Sequence, residues 1–237
     1  MELKDKILSS YVAFENDMDM NSDIHEIRTK ALENFEKLGF PSKKLEAWKY
    51  TSLNLILKND YCLFPNKETP IDLANVKKYL IQEIDSYKVV FIDGKYNSFL
   101  SETTHDTIDV CLMSAALTKP KYKIVIENYF NKIAKQDNLT SLNTAFAKEG
   151  VYIYIPKNVE VQKPIQIVNF TTGAEIATMM QPRNLIVVEE NAHVQIIERH
   201  QSLTSNAVLS NVVTEVFAAR NTTIDYYKIQ NDNLNAS

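Results

Sequence analysis

Apolar positions along the chain change their period near residue 150. Before it they recur at three and four. In "MELKDKILSSYVAF", Leu3, Ile7, Tyr11 and Phe14 share one helical face. In "NSDIHEIRTKALENFEKLGFP", Ile24, Ile27, Ala31, Phe35 and Leu38 do the same. Ser22 or Asp23 can cap the start of that second helix, and Gly39 followed by Pro41 predicts its end. "LANVKKYLIQEI", "KIVIENYFNKIAKQ" and "SLNTAFAKEG" also read as helices, the last ended by Gly150. One interruption is expected. "KVVFIDGKYNSFL" places two β-rich runs around Asp93-Gly94, a strong two-residue hairpin signal.

From Val151 the chain carries short β-branched and aromatic runs, "VYIYIPKNVEVQKPIQIVNF" and "NLIVVEENAHVQIIERH". Asn158, Asn191 and Asn221 recur at spacings of 33 and 30, each followed three residues later by Val161, Val194 or Ile224. Asn tolerates the left-handed backbone of a sharp turn. A turn residue and an apolar residue at a fixed offset, repeated at near-constant period, point to stacked rungs of a β-solenoid. Antiparallel hairpins with coincident asparagines are the alternative. The pattern divides the chain into a helical region, 1–149, and a β region, 150–237. "TTIDYYKIQNDNLNAS" stops within a rung, so the expectation is a truncated chain, or an end that something else covers. An open rung edge invites strand addition and hence self-association.

Composition narrows the class. The 237 residues are 45% apolar and 24% charged, ordinary for a soluble globular protein, and the net charge of −4 with scattered Lys and Arg disfavours nucleic acid as a partner. No run approaches the roughly 20 apolar residues of a membrane span. "MELKDKILSSYVAFENDMD" is too charged for a signal peptide, so a cytoplasmic location is expected and no membrane partner. The four glycines, Gly39, Gly94, Gly150 and Gly173, are too far apart for a phosphate-cradling loop, so any ATP or NAD site belongs to another chain.

Candidate chemistry is sparse. Cys62 and Cys111 form no disulfide framework or zinc pattern, and two thiolates do not complete an iron–sulfur site. Both stand far in sequence from His193 and His200, which disfavours a Cys-His nucleophile. His25 is expected on an exposed helical turn, His105 in a polar loop and His193 at the surface beside a turn. Glu198 and His200 share a strand face and could bind a metal or shuttle a proton, although a salt-bridge ladder on the rung surface is the simpler expectation. No residue is assigned a catalytic, cofactor-binding or metal role.

Four ordered stretches carry a resemblance. "FPSKKLEAWKYTSL" holds the chain's single tryptophan, Trp48. "LNTAFAKEGVYIYIPKNVEVQKPIQIV", "QPRNLIVVEENAHVQIIERH" and "LSNVVTEVFAARNTTIDYYKIQND" follow. Together they resemble the SufB/SufD family of Suf-type iron–sulfur cluster assembly scaffolds, and within it the SufD branch. The resemblance implies an α+β, mainly β architecture: an N-terminal helical region with a small hairpin, then the first rungs of a right-handed parallel β-helix. The family's C-terminal helical region has no counterpart here. The function implied is that of a non-catalytic scaffold subunit, working with a SufB-like subunit and a SufC-like ATPase. The iron–sulfur cluster would be built in the complex, with no cofactor held by this chain alone. The ATPase docking surface falls in the missing region, and the functional residues of the family's late rungs match no position here. A β-helical carbohydrate-active enzyme is the alternative of another class, but Glu189 and Glu190, adjacent on a strand, point to opposite faces. A self-associating structural module is a third. Trp48 is expected to bury its ring against the helical layer, so that Trp48→Ala costs about 3–5 kcal/mol. A partner contact is the other reading.

Overall fold

The computed structural model describes residues 2–16, 24–64, 73–81, 83–103, 107–173 and 177–237. The helix α1 (Leu3–Asn16) buries Leu3, Ile7, Tyr11 and Phe14, the face its period predicts. On α2 (Ile24–Leu38), Ile24, Ala31 and Phe35 are buried, while Leu38 is 47% exposed. The buried stripe instead takes in Arg28, whose guanidinium donates to the Ala147 carbonyl. Gly39, at φ 61°, ends α2 with its N–H on the Phe35 carbonyl. The expected caps Ser22 and Asp23 lie outside the described residues.

Three helices differ from expectation. The first, α3, covers only Leu73–Lys77. Next come β1 (Tyr87–Ile92) and β2 (Lys95–Tyr96), joined by Asp93 and Gly94 at φ 48° and 79°, the two positive angles a tight hairpin turn requires. An unforeseen strand, β3 (Asp109–Leu112), leads into α4 (Met113–Thr118) and α5 (Lys123–Tyr129). The predicted helix over 123–136 breaks early because Asn131 adopts φ 59°. The N–H groups of Asn131, Ile133 and Ala134 turn to the Glu215 carboxylate instead. The last helix, α6 (Asn138–Ala145), starts before its predicted position, with Asp137 accepting from the Thr140 N–H at 2.9 Å as N-cap. Gly150 is not its cap. A Cβ there would stand 2.1 Å from the Arg183 carbonyl oxygen, so the crossing backbone demands glycine.

Eight strands follow: β4 (Val151–Ile155), β5 (Ile165–Thr171), β6 (Ala177–Met180), β7 (Arg183–Val188), β8 (His193–Ser202), β9 (Ala207–Ser210), β10 (Val213–Ala218) and β11 (Thr223–Asn231). They sort into sheets ordered β11-β8-β5-β1-β2, β10-β7-β4-β3 and β6-β9. Every pairing among these eight strands is parallel, which overturns the hairpin alternative. Hairpin strand β1 also extends the first sheet in parallel beside β5, and β3 adds antiparallel to β4. The turn asparagines Asn158, Asn191 and Asn221 all have φ near 60° and stack. Asn191 donates to Asn158 at 2.9 Å and Asn221 to Asn191 at 3.2 Å.

Strands β4, β5 and β7 are covered on both faces, which explains their unbroken apolar runs. The main core lies between the two larger sheets and includes Phe91, Ile153, Ile167, Ile186, Val194 and Ile196. On the outside, α1, α2 and α6 pack over β6 and β9, α4 and α5 over β4 and β7, and the α3 segment over β1 and β5. Among the described residues no helix is long and apolar enough to cross a membrane.

Candidate functional site

On β8, Val194 and Ile196 point into the main core, and strand alternation sends Glu198 and His200 the same way. The two are buried, at 1% and 6% exposure. The expected salt-bridge ladder on a rung surface is therefore corrected: the pair sits on the inner face, continuing an apolar stripe with charge. His200 Nε2 stands 2.5 Å from a Glu198 carboxylate oxygen. The other oxygen accepts the Tyr226 hydroxyl, and the Lys228 ammonium lies 3.4 Å from the same oxygen that faces His200. Both of these partners come from β11, where Lys228 is registered directly on Glu198 and Tyr226 on Ile196.

A neighbouring chain of polar groups links β4, β7 and β10: the Val151 N–H donates to Asn184 at 3.0 Å, and Asn184 donates to the Thr214 hydroxyl at 3.1 Å.

Electrostatics fix the charge states. Burial alone pushes the Glu198 carboxyl up, but the bonds from His200 and Tyr226 and the charge of Lys228 outweigh it and hold the group down at about 2. Tyr226 moves the other way: burial, then the facing Glu198 charge, keep its phenol protonated far above the usual range. A carboxylate so placed is an acceptor shared by three side-chain partners. It is a poor metal centre, because Lys228 sits where a cation would have to approach. Among the described residues no three His, Cys, Asp or Glu side chains come together as metal ligands.

A second buried carboxylate was missed at the sequence level. Glu215, on β10, is 1% exposed and meets the guanidinium of fully buried Arg183 at 2.6 Å. Arg183 also donates to Asn143 and Thr144 and lies 5.0 Å from the Phe130 ring centroid. A usable signal was present. One period of 30 carries Arg183 to Val213, and Glu215 is two residues further on the same face.

The other candidates disperse. His25 is not simply solvated, since its Nδ1 lies 2.6 Å from Glu15. His193 is part-exposed, 3.5 Å from Asp225, and His105 lies outside the described residues. Both cysteines are free thiols. Cys62 bridges to β6 through its backbone, and burial pushes the Cys111 thiol up, away from the reactive thiolate. Trp48 is not buried as expected. It ends a short 3₁₀ turn, Glu46–Trp48, and joins none of the four apolar clusters of the described residues.

Comparison with known proteins places these features. Residues 1–167 match the family model described as the SufBD protein N-terminal region. Residues 169–237 match that of the SufBD core domain of the SUF system for FeS cluster assembly. Among curated relatives, an iron–sulfur cluster assembly SufBD family protein of Synechocystis is 26% identical across 86% of this chain and 47% of its own length. The iron–sulfur cluster assembly protein SufD of Bacillus subtilis is 26% identical, with 86% of this chain and 48% of its own length covered. A chloroplastic SufBD family protein of Arabidopsis thaliana is 28% identical, at 87% and 39%. The chain spans less than half the length of these relatives.

Proposed function

Because the chain belongs to the SufBD family, we propose that it is a non-catalytic scaffold subunit of an iron–sulfur cluster assembly complex, pairing with a SufB-like subunit and serviced by a SufC-like ATPase. The observation that carries this reading is the unbroken succession of the two family models along residues 1–167 and 169–237. The architecture is compatible with it. We take the three parallel sheets, with partners about one period apart, as rungs of a right-handed parallel β-helix, a rigid surface on which other subunits dock. The cluster itself is cargo: two free thiols are fewer than the thiolates a cluster wants, so ligands from a partner would complete any site.

The test is co-purification of the tagged chain with co-expressed SufB-like and SufC-like proteins under anaerobic conditions. Recovery of both in fixed ratio supports the reading in full. Recovery of the SufB-like protein alone places pairing within residues 1–237 and ATPase docking elsewhere. Recovery of neither, from a folded chain, overturns the proposal for this polypeptide.

A further inference from the structure

A cleft of about 450 Å³ opens between α1, the segment around Leu63, the β1–β2 turn and the residues that lead into β7. That volume lies in the usual range for small-molecule sites. Its apolar wall is an aromatic cluster. The Phe14 and Phe64 rings stack at 5.5 Å between centroids, and Phe146 lies 5.1 Å from the first and 5.8 Å from the second. Met179 and Met180 add unbranched, polarisable side chains that adapt to an occupant.

The polar groups of the cleft ask for an acceptor. Gln181 lines it, and the Gln181 Oε1 accepts from Asn211 at 2.6 Å. The amide's Nε2 is buried with no acceptor among the described residues, a costly arrangement that an incoming oxygen would relieve. At the mouth, the exposed Lys95 ammonium makes no ion pair among the described residues. Two acids, Asp93 and Glu149, also line the cleft. Asp93 is engaged by the Thr172 N–H at 2.8 Å and by the Thr172 hydroxyl. Burial pushes the Glu149 carboxyl up, against the pull of the nearby Lys148 and Lys95 charges.

We propose that this cleft binds a small monocarboxylate with a flat aromatic body, the ring on Phe14, Phe64 and Phe146 and the carboxylate toward Gln181 and Lys95. The cleft lies apart from the Glu198–His200 network and does not depend on the partner reading, because none of its lining residues belongs to that network.

The test is isothermal titration calorimetry of the full chain with 2-naphthoate, and with the naphthyl trimethylammonium cation as a shape-matched opposite charge. One saturable naphthoate site is expected, with the cation binding about tenfold more weakly or less tightly still. Lys95→Gln, at an exposed position, should weaken naphthoate about fivefold, the scale of an exposed charge contact. Ala13→Trp, on the exposed rim of the cleft, should abolish binding while leaving the melting temperature within a few degrees of the parent. Absent binding at millimolar naphthoate overturns the proposal. So does binding that survives Ala13→Trp in a folded protein, or equal affinity for the cation.

Discussion

Glu215 and Glu198 are equally buried, at 1% exposure each, yet their surroundings differ in kind. Glu215 is held by fixed donors: three backbone N–H groups from the loop after α5 and one guanidinium. It clamps the helical layer to β10. Among the described residues Glu198 is held by side chains alone, an imidazole, a phenol and an ammonium, each on rotatable bonds. Burial alone therefore says little about a charge's role. What separates a rivet from an adjustable site is whether its partners are mostly main chain or all movable side chains.

The largest expected effect breaks the rivet. Glu215→Ala leaves the Arg183 guanidinium buried without its counter-charge and should cost about 3–5 kcal/mol by denaturant unfolding. The double variant Arg183→Met with Glu215→Leu sharpens the point. A simple buried ion pair is often replaced at little cost, but here three N–H groups would still lose their acceptor. The double variant should thus stay about 2 kcal/mol or more below the parent. A double variant as stable as the parent would mean that the main-chain donors contribute nothing.

Glu198→Gln should cost less, on the order of 2–3 kcal/mol at neutral pH, because the amide still accepts from Tyr226. The pH dependence tests the Glu198 network directly. The folded Glu198 carboxyl titrates at about 2, below its ordinary 4.5, so the unfolded chain takes up its proton first. Its contribution is fully present above about pH 4.5 and is lost as the pH falls toward 2. The stability gap between parent and Glu198→Gln should close over that interval. A gap that stays constant to pH 2 would show that the network does not hold the carboxylate ionised.

Much of this fold was legible because its signals are local or periodic. The α1 face, the Asp93-Gly94 turn and the asparagine ladder each follow from a few neighbouring residues. The pairing of β1 beside β5 was not, because no local pattern says which distant strand a hairpin will join. The early end of α5 was equally hidden, since its cause is a carboxylate more than 80 residues away. Glu198 and His200 were correctly placed on one face but on the wrong side of the sheet. Alternation gives the face and not which face is inside. The period would have settled it: adding 30 to Glu198 reaches Lys228, and Val194 and Ile196 on the same face are core residues.

A smaller effect tests the ladder that sets this period. Asn191 holds φ 59° and both accepts from Asn221 and donates to Asn158. Asn191→Ala should cost about 1–2 kcal/mol, from the left-handed backbone together with the lost bonds at an exposed site. Asn191→Gly keeps the backbone and should cost less than about 1 kcal/mol. Equal losses in the two variants would assign the asparagines' role to their side-chain bonds rather than to the turn.

The smallest effect is expected at Trp48. The ring is half-buried on a short 3₁₀ turn beside an exposed Glu46–Lys49 pair at 3.7 Å, and Tyr50 next to it is 91% exposed. With no place in any described apolar cluster, Trp48→Ala should change stability by less than about 1 kcal/mol, in contrast to the 3–5 kcal/mol of a core aromatic. As the chain's single tryptophan, Trp48 reports its own surroundings. Its emission should be readily quenched by acrylamide in the folded protein. A large loss on Trp48→Ala, with emission shielded from quencher, would return the ring to the helical core and make it an anchor after all. A small loss with open quenching leaves an aromatic ring facing solvent, the residue type enriched at contact surfaces and not required by this core.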